Sequence, residues 1–255
     1  MSGRPAERPR IVVLQHHRRV PLGALAEPLE RGADVVTIRG YEEAAAAQTA
    51  VDQWVACGGY DGIVALGGPM GVYDRDTEPH LDDSLRLLRD ALRRGLPILG
   101  LCLGSQLLSE ALGAPVFNGA ERGLAAEVGF KTMRLTDAGR DDPVMRIFAG
   151  PEPVLFWHRD THDLPPGAAH LAATDLYPVA AYRWGARAYG LQFHLEATPE
   201  ILDVWVAVSP LAALPQADRS LILEQVQDLE PVIRARAARL VELFLGWADE
   251  GARGG

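Results

Sequence analysis

Short apolar segments alternate with helical segments through the first half of the chain, and this alternation constrains the fold more than any other feature. The apolar segments are rich in Val and Ile and fit buried strands, whereas the segments between them carry apolar residues at helical spacing. The predicted strands are 11–14, 34–38, 62–66 and 97–101, and the predicted helices are 22–31, 42–56, 81–94 and 105–112. Strands that alternate with helices form a parallel sheet covered on both faces.

The second half of the chain has a different pattern. Five shorter strands are predicted there, at 127–134, 154–157, 171–174, 179–183 and 188–193. Beyond Pro199 the pattern is helical, and an apolar stripe from Leu221 to Trp247, interrupted at Pro231, favours a pair of packing helices, with a cap or a homodimer surface as the alternative. We therefore expect an α/β fold, a three-layer sandwich around a mainly parallel sheet. We expect one domain over 1–255, with a core at about 10–198 and a helical extension at about 199–250.

Charge and composition exclude several functions. Thirty-four acidic residues against 25 basic ones give a net charge of −9, which argues against binding to the nucleic-acid backbone. Lys131 is the only lysine and follows Phe130, so the sequence has neither the Gly-Lys pair of a P-loop nor the lysine-containing set of a protein kinase. Two cysteines, Cys57 and Cys102, are too few for a disulfide framework or a four-cysteine zinc site. With no secretory signal and no apolar run of about 18 residues, we expect a cytoplasmic protein that does not span a membrane.

The segment Gly100-Leu101-Cys102-Leu103-Gly104 lies where the fourth predicted strand turns into a helix. Glycines two residues before and after the central residue allow a sharp turn, which lifts the central side chain above the carboxyl edge of the sheet, where open α/β sheets bind ligands. The start of the following helix carries partial positive charge and favours a thiolate, and Leu103 would offer its N–H to an oxyanion. We therefore interpret Cys102 as a nucleophile, with a core cysteine as the alternative.

A cysteine nucleophile needs a base, and His194 is the candidate among the seven histidines. If the last predicted strand continues, His194 and Glu196 project to the same side, because side chains alternate along a strand. A carboxylate beside an imidazole fixes its tautomer and stabilises the imidazolium. The turn Gly67-Gly68-Pro69, after the third strand, presents N–H groups at the same sheet edge, although such a turn is a weak signal by itself.

Three segments, taken in their order along the chain, resemble motifs of the class I (triad) glutamine amidotransferases. They are Gly67-Gly68-Pro69, Gly100 to Gln106 and Gln192 to Glu196. Within that family the closest resemblance is to the amidotransferase domain of GMP synthase and its stand-alone relatives. The segments 67–74, 127–130 and 157–168 carry this closer resemblance. The resemblance covers roughly residues 10–200 and implies a flavodoxin-like sandwich.

The resemblance also implies roles for individual residues. Cys102, His194 and Glu196 would form a catalytic triad, in which the thiolate attacks the side-chain amide of glutamine, ammonia leaves and water hydrolyses the thioester. The N–H groups of Gly68 and Leu103 would form an oxyanion hole. The implied glutamine site needs no metal and no cofactor, and it consists of Gly67, Gly68, Gln106, Arg159 and Asp160.

Three residues depart from the pattern of the family. Ser105 stands where GMP synthase domains usually have Met and other members often have His, and Leu195 stands where Pro is usual. Arg159 replaces a usual Gly, which would narrow or recharge the entrance of the pocket. None of these departures removes a member of the triad.

Other interpretations remain open for several residues. On an extended segment, His158, Asp160 and His162 would face one way and could bind zinc. The pair His16-His17 could reach the same sheet edge, but a polar loop without a catalytic role is favoured. Cys57, which precedes two glycines, is interpreted as a half-buried bystander.

The sequence also leaves the fate of the ammonia open. A GMP synthase needs an ATP-binding synthetase domain, for which the chain has no room after the amidotransferase region. We therefore expect ammonia release to an acceptor on a separate synthetase subunit. The first alternative is a stand-alone γ-glutamyl peptide or amide hydrolase with the same triad. A second is a catalytically silent regulatory partner.

Overall fold

The computed structural model describes residues 8–42, 59–212 and 216–253. The predicted helix at 42–56 lies almost entirely outside these ranges. Cys57 also lies outside them. The first half has the predicted order of elements, with small shifts at their ends. These elements are β1 (Arg10–Gln15), α1 (Ala26–Gly32), β2 (Asp34–Arg39), β3 (Gly62–Ala65), α2 (His80–Arg94), β4 (Ile98–Leu101) and α3 (Leu103–Ala111).

The second half contains more elements than were predicted. They are β5 (Val116–Asn118), β6 (Glu127–Lys131), β7 (Arg134–Leu135), α4 (Asp137–Asp141), β8 (Val154–His158), β9 (Asp160–His162), β10 (Ala169–Ala173), β11 (Ala181–Trp184), β12 (Ala188–Leu191), α5 (Pro199–Val208) and α6 (Gln216–Arg253). The single strand predicted at 127–134 is wrong, because β6 and β7 belong to different sheets. The elements β5, α4 and β9 were missed, since so few residues carry no periodic signal.

Eight strands form the main sheet, in the order β2-β1-β3-β4-β12-β11-β10-β7. The four pairs from β2 to β12 are parallel, and the three pairs from β12 to β7 are antiparallel. Two antiparallel ribbons, β5-β9 and β6-β8, lie beside this sheet. The predicted α/β fold with a mainly parallel central sheet is confirmed.

Helices cover both faces of the main sheet. Along β1, Ile11 and Val13 pack in one apolar cluster with residues of α1 and α6, whereas Val12 and Leu14 pack in a second cluster with residues of α2 and α3. Side chains of a strand point alternately to opposite faces, so one strand contributes to both clusters. The carboxyl ends of β3, β4 and β12 meet at one edge of the sheet, and the predicted site residues lie at that edge.

One long helix spans 221–247, where a pair of helices was predicted. The helix α6 runs from Gln216 to Arg253 and continues through Pro231. A proline inside a helix costs about 3 kcal/mol, and burial of one face of α6 in the first cluster outweighs that cost. The buried residues of this face are Ile222, Val226, Ile233, Ala237, Leu240, Val241, Phe244 and Ala248.

The stripe of α6 therefore packs on the core of its own chain and does not form the exposed surface that the homodimer alternative requires. Leu221, which is 52% exposed, is the exception. Within the described ranges, no helix combines the length and the apolar character needed to cross a membrane.

Candidate active site

Cys102 occupies a strained turn between β4 and α3. Its backbone has φ 50° and ψ −108°, and no other non-glycine residue in the described part of the chain has a positive φ. A Cβ atom at Gly100 would collide with the carbonyl group of Gly104, and one at Gly104 would collide with the carbonyl group of Ala65. Strain of this kind costs on the order of 1–3 kcal/mol and is found at functional sites. The glycines are therefore required by close backbone packing around the cysteine.

His194 is brought to Cys102 by neighbouring strands of the sheet. The N–H of Cys102 donates to the carbonyl oxygen of Leu191 at 2.8 Å, and Leu191 is the last residue of β12. The premise that this strand continues to Glu196 is wrong. Instead, the N–H of His194 donates to the carbonyl oxygen of Leu155 in β8, at 2.8 Å, so the β6-β8 ribbon positions the histidine.

His194 and Glu196 form the expected pair despite the end of the strand. The distance from Nδ1 of His194 to Oε1 of Glu196 is 2.6 Å, and both side chains are buried. The second carboxylate oxygen accepts the N–H of Leu195 at 2.9 Å. Proline, which is usual in the family at this position, has no N–H to donate. The departure at Leu195 therefore adds a hydrogen bond to the carboxylate.

The electrostatic surroundings keep a proton on His194. Burial by itself lowers the pKa of His194, but attraction to Glu196 and to Cys102, together with hydrogen bonding, raises that pKa to about 10. Nε2, the ring nitrogen that Glu196 does not hold, is buried without a conventional hydrogen-bond partner in the described ranges. It is the nitrogen available to exchange a proton with the thiol of Cys102 or with a bound ligand.

A cavity of about 360 Å³ opens above these residues. Its lining includes Cys102, His194, Gly68, Gln106, Arg159 and Asp160. A Cβ atom at Gly67 would lie 3.3 Å from Cε1 of His194 and 3.6 Å from Cβ of Cys102. Cδ2 of Leu103 would lie 2.8 Å from a Cβ atom at Gly68. Six of the predicted site residues thus line one cavity, and Gly67, Leu103 and Glu196 lie next to them.

The two candidate oxyanion donors lie beside the cysteine. Leu103 is the first residue of α3, and the first N–H groups of a helix have no carbonyl partner within it. Gly68 packs against the Leu103 side chain. Leu103 thus follows Cys102 directly, and Gly68 lines the same cavity as the cysteine.

Asp160 is held by a network that the sequence motifs did not indicate. Its carboxylate accepts the hydroxyl of Tyr73 at 2.6 Å and the amide of Asn118 at 2.8 Å. Nε2 of Gln106 donates to the Asp160 carbonyl oxygen at 2.9 Å and to Oε1 of Gln192 at 3.2 Å. Partial burial raises the pKa of Asp160 although the Tyr73 hydrogen bond opposes the shift. Gln106 and Tyr73 thus fix the segment that carries Arg159 and Asp160.

The other two departures from the family lie close to the same residues. The Ser105 hydroxyl is buried and donates to the carbonyl oxygen of Cys102 at 2.8 Å. This hydrogen bond ties the first turn of α3 to the strained cysteine. Arg159 is exposed and lines the cavity, and its effect on the charge of the entrance stays a prediction.

The zinc alternative is not supported, because its three side chains have separate surroundings. His158 contacts Glu127, with Nε2 at 3.3 Å from Oε2, and Asp160 is held as described above. The His162 ring packs edge-on against Tyr182, with the ring centres 5.1 Å apart. Over residues 8–42, 59–212 and 216–253, no group of three or more His, Cys, Asp or Glu side chains could hold a metal ion.

His16 and His17 lie in a loop after β1, as predicted, but the side chain of His16 is buried. Its Nδ1 lies 2.9 Å from the carbonyl oxygen of Leu66, and its Nε2 lies 3.2 Å from the Ser84 hydroxyl. Burial, together with the nearby His80, lowers the pKa of His16 to about 4, so it is neutral at pH 7. His16 is thus a buried structural histidine, whereas His17 lines the cavity.

Sequence analysis also missed the contribution of the extension to the cavity. Trp205 on α5 packs edge-on against His194, with ring centres 4.8 Å apart. Its Nε1 donates to the carbonyl oxygen of Arg19 at 2.7 Å. Further lining residues from this part of the chain are Val208, Ser209, Pro210 and Leu211. Trp205 falls in the segment beyond Pro199 that was predicted only to be helical, and no local signal related it to His194.

Comparison with known proteins agrees with this fold and site. Residues 28–204 match the family described as glutamine amidotransferase class-I. This match spans more than half of the chain, and the chain therefore belongs to the class I glutamine amidotransferase family. The resemblance inferred from the three sequence motifs is confirmed.

Individual relatives are similar over part of their length. The chain is 34% identical over 147 residues to YfeJ, a glutamine amidotransferase-like protein of Salmonella typhimurium, covering 56% of this chain and 60% of that protein. It is 35% identical over 182 residues to a glutamine-hydrolysing GMP synthase of Thermus thermophilus, covering 69% of this chain and 33% of the relative. The matched regions thus span less than two thirds of both relatives. A glutamine amidotransferase structure from Thermotoga maritima aligns with a TM-score of 0.77 at 26% identity, covering 94% of this chain and 99% of the other.

Proposed function

We propose that this chain hydrolyses the side-chain amide of glutamine through a thioester on Cys102. The observation that carries the proposal is the arrangement at the cavity floor: a strained cysteine, and an imidazole with a raised pKa that lies 2.6 Å from a buried carboxylate. This is the relation of nucleophile, base and orienting group that covalent catalysis requires. Membership of a glutamine amidotransferase family supports glutamine as the substrate.

In the first step His194 holds the thiol proton and the Cys102 thiolate attacks the amide carbon. The N–H groups of Gly68 and Leu103 would stabilise the oxyanion, as backbone donors do in an oxyanion hole. The C–N bond then breaks as the imidazolium gives its proton to the departing nitrogen. Water attacks the thioester with His194 as base, and glutamate leaves. Glu196 stabilises the imidazolium in both halves of the reaction.

The charged groups at the mouth of the cavity fit the two charged groups on the Cα atom of free glutamine. Arg159 complements the α-carboxylate, and Asp160 complements the α-ammonium group. Gln106 holds the backbone of Asp160 at 2.9 Å, and this contact fixes the distance between the recognition segment and Cys102. A change at Gln106 is therefore expected to act mainly on KM.

The proposal assigns the released ammonia to an acceptor on a separate synthetase subunit in the cytoplasm. The GMP synthase relative supports the use of the ammonia by a synthetase, since its name describes a glutamine-hydrolysing synthase. A synthetase partner would then raise glutamine turnover by closing the cavity. The test is glutaminase activity of the isolated chain with and without a candidate partner.

The chemical step is tested by Cys102→Ala and by labelling with a glutamine-like chloroketone. We expect the alanine variant to fold normally, to lose turnover by about four to six orders of magnitude and to take up no label. Labelling at Cys102 without turnover of glutamine would indicate that the nucleophile is reactive and that turnover requires the partner. Turnover of γ-glutamyl peptides with glutamine ignored would favour the stand-alone hydrolase. Absence of both labelling and turnover would favour a silent regulatory partner.

A further inference from the structure

One wall of the cavity is apolar and is built by the helical extension. Trp205 and Val208 on α5 line it, together with Pro210 and Leu211, which follow α5. Trp157 completes this wall, and its ring centre lies 6.0 Å from that of Trp205. We call these five residues the indole wall. Ammonia is small and polar, so its release from glutamine does not require an apolar surface of this extent.

Hydrogen bonds hold the indole wall in place. Nε1 of Trp205 donates to the Arg19 carbonyl oxygen at 2.7 Å, and Nε1 of Trp157 donates to the Ser209 hydroxyl at 3.1 Å. Both indole rings are buried over more than nine tenths of their surface. Because each ring satisfies its only donor, neither indole brings an unpaired polar group to the cavity. Val208, which is 46% exposed, supplies open apolar surface beside them. The wall is therefore preorganised.

The position of His194 decides which part of a substrate meets this wall. The departing nitrogen must come within about 3 Å of Nε2 of His194 to receive its proton. The ring of His194 is itself in edge-on contact with Trp205, at 4.8 Å between centres. Any group attached to the departing nitrogen therefore lies next to the indole wall. Arg159 and Asp160, which also line the cavity, are left for the charged end of the glutamyl part.

We propose that the indole wall is a subsite for an apolar group on the amide nitrogen, so that the chain cleaves γ-glutamyl amides of apolar primary amines as well as glutamine. The reaction is balanced as for glutamine: the C–N bond breaks, His194 protonates the departing amine, and water converts the thioester to glutamate. This inference rests on the proposed thioester chemistry and adds the substrate class. A cavity of about 360 Å³ has room for such a ligand, since pockets of roughly 300–1,000 Å³ hold molecules larger than one amino acid.

The test uses a series of γ-glutamyl n-alkylamides, from methyl to pentyl. The basicity of the departing amine hardly changes along this series, so the chemical step stays constant while contact with the wall grows. Each buried methylene group is worth about a fourfold increase in kcat/KM. We expect kcat/KM to rise by about two- to fourfold per methylene until the wall is filled. A flat or falling series would overturn the proposal.

Two valine variants on α5 separate the subsite from general effects. Val208 lines the cavity and is 46% exposed, whereas Val204, one turn earlier, is 42% exposed and is not part of the lining. Val208→Asp is expected to remove most of the dependence on chain length, because it puts a charge into the apolar wall. Val204→Asp, the matched control, is expected to keep that dependence. Equal slopes in both variants would count against the subsite.

Failure of this inference is distinguishable from failure of the proposed function. Turnover of glutamine without an increase in kcat/KM along the alkyl series would argue against the subsite and still support the thioester chemistry. Loss of turnover for every substrate, with no labelling of Cys102, would remove the proposed function itself. The Cys102→Ala variant should turn over neither the alkylamides nor glutamine, and this result would show that one nucleophile acts on both substrates.

Discussion

Oε1 of Glu196 lies 2.6 Å from Nδ1 of His194, and neither side chain is more than 4% exposed. At this depth the carboxylate acts on the ring with little screening by water. It fixes Nδ1 as the nitrogen that carries a hydrogen and leaves Nε2 directed to the reacting atoms. The relation between these two residues therefore determines both the orientation and the pKa of the proposed base.

Glu196→Gln is expected to lower kcat for glutamine by about 100- to 10,000-fold, since a neutral amide stabilises the imidazolium poorly and permits the wrong tautomer. The pKa of His194 falls when the carboxylate charge is lost, so the alkaline limb of the rate profile should move to lower pH. The measurement is kcat against pH in both proteins. An unchanged alkaline limb would show that Glu196 does not set the pKa of His194.

Leu195→Pro tests the additional hydrogen bond to Glu196. Proline removes the N–H that donates to Oε2 at 2.9 Å, and a hydrogen bond to a charged group contributes about 1.5–3 kcal/mol. We expect kcat to fall by about tenfold with little change in KM. Leu195→Ile keeps the N–H and the side-chain volume, and it serves as the control. If the two variants have the same kcat, the N–H has no role.

Trp205→Phe tests whether the extension positions His194. Phenylalanine keeps an aromatic ring against the imidazole but loses the hydrogen bond to the Arg19 carbonyl oxygen. We expect a decrease in kcat of about three- to tenfold, because net hydrogen-bond contributions are about 0.5–1.5 kcal/mol. Trp205→Ala should lower kcat further and reduce stability. A variant that alters thermal stability but not kcat would assign Trp205 a purely structural role.

Acid should destabilise the protein through two buried histidines. Burial lowers the pKa of His16 and of His162 from 6.5 to about 4. The unfolded chain takes up these protons as the pH falls below 6.5, whereas the folded chain does not do so until about pH 4. Each histidine therefore costs no stability above pH 6.5 and up to about 3 kcal/mol at low pH.

His162→Phe tests directly whether protonation of His162 lowers the free energy of unfolding in acid. The variant keeps a ring against Tyr182 and cannot take up a proton. We expect its free energy of unfolding to fall less steeply between pH 6.5 and 4 than that of the original protein. Urea denaturation at half-unit pH intervals provides the measurement. Parallel curves for the two proteins would mean that His162 does not contribute to acid sensitivity.

Local sequence patterns were sufficient for the sheet and for the residues around Cys102. The strands β1 to β4 and the helices between them follow from hydrophobic periodicity, which a chain displays without its tertiary contacts. The elbow at Gly100 to Gly104 was equally local, because a Cβ atom at Gly100 would collide with the carbonyl group of Gly104. The motif at His194 and Glu196 was found although the strand that was expected to orient it ends at Leu191.

Elements governed by distant contacts were not predictable in the same way. Pro231 suggested a break in the last helix, but α6 continues through it because its buried face packs on the sheet. The predicted strand at 127–134 divides between two sheets, since β6 pairs with β8 and β7 pairs with β10. A local propensity of a few tenths of a kcal/mol per residue is outweighed by burial of whole side chains.

The sequence by itself determined the α/β fold, the family and the position of the cysteine, histidine and carboxylate, because each depends on residues close together in the chain. Only the tertiary structure decided that Trp205 meets His194, that Tyr73 and Asn118 hold Asp160, and that the extension forms a wall of the cavity. These contacts join segments far apart in sequence, and their energies exist only after the sheet has brought the segments together.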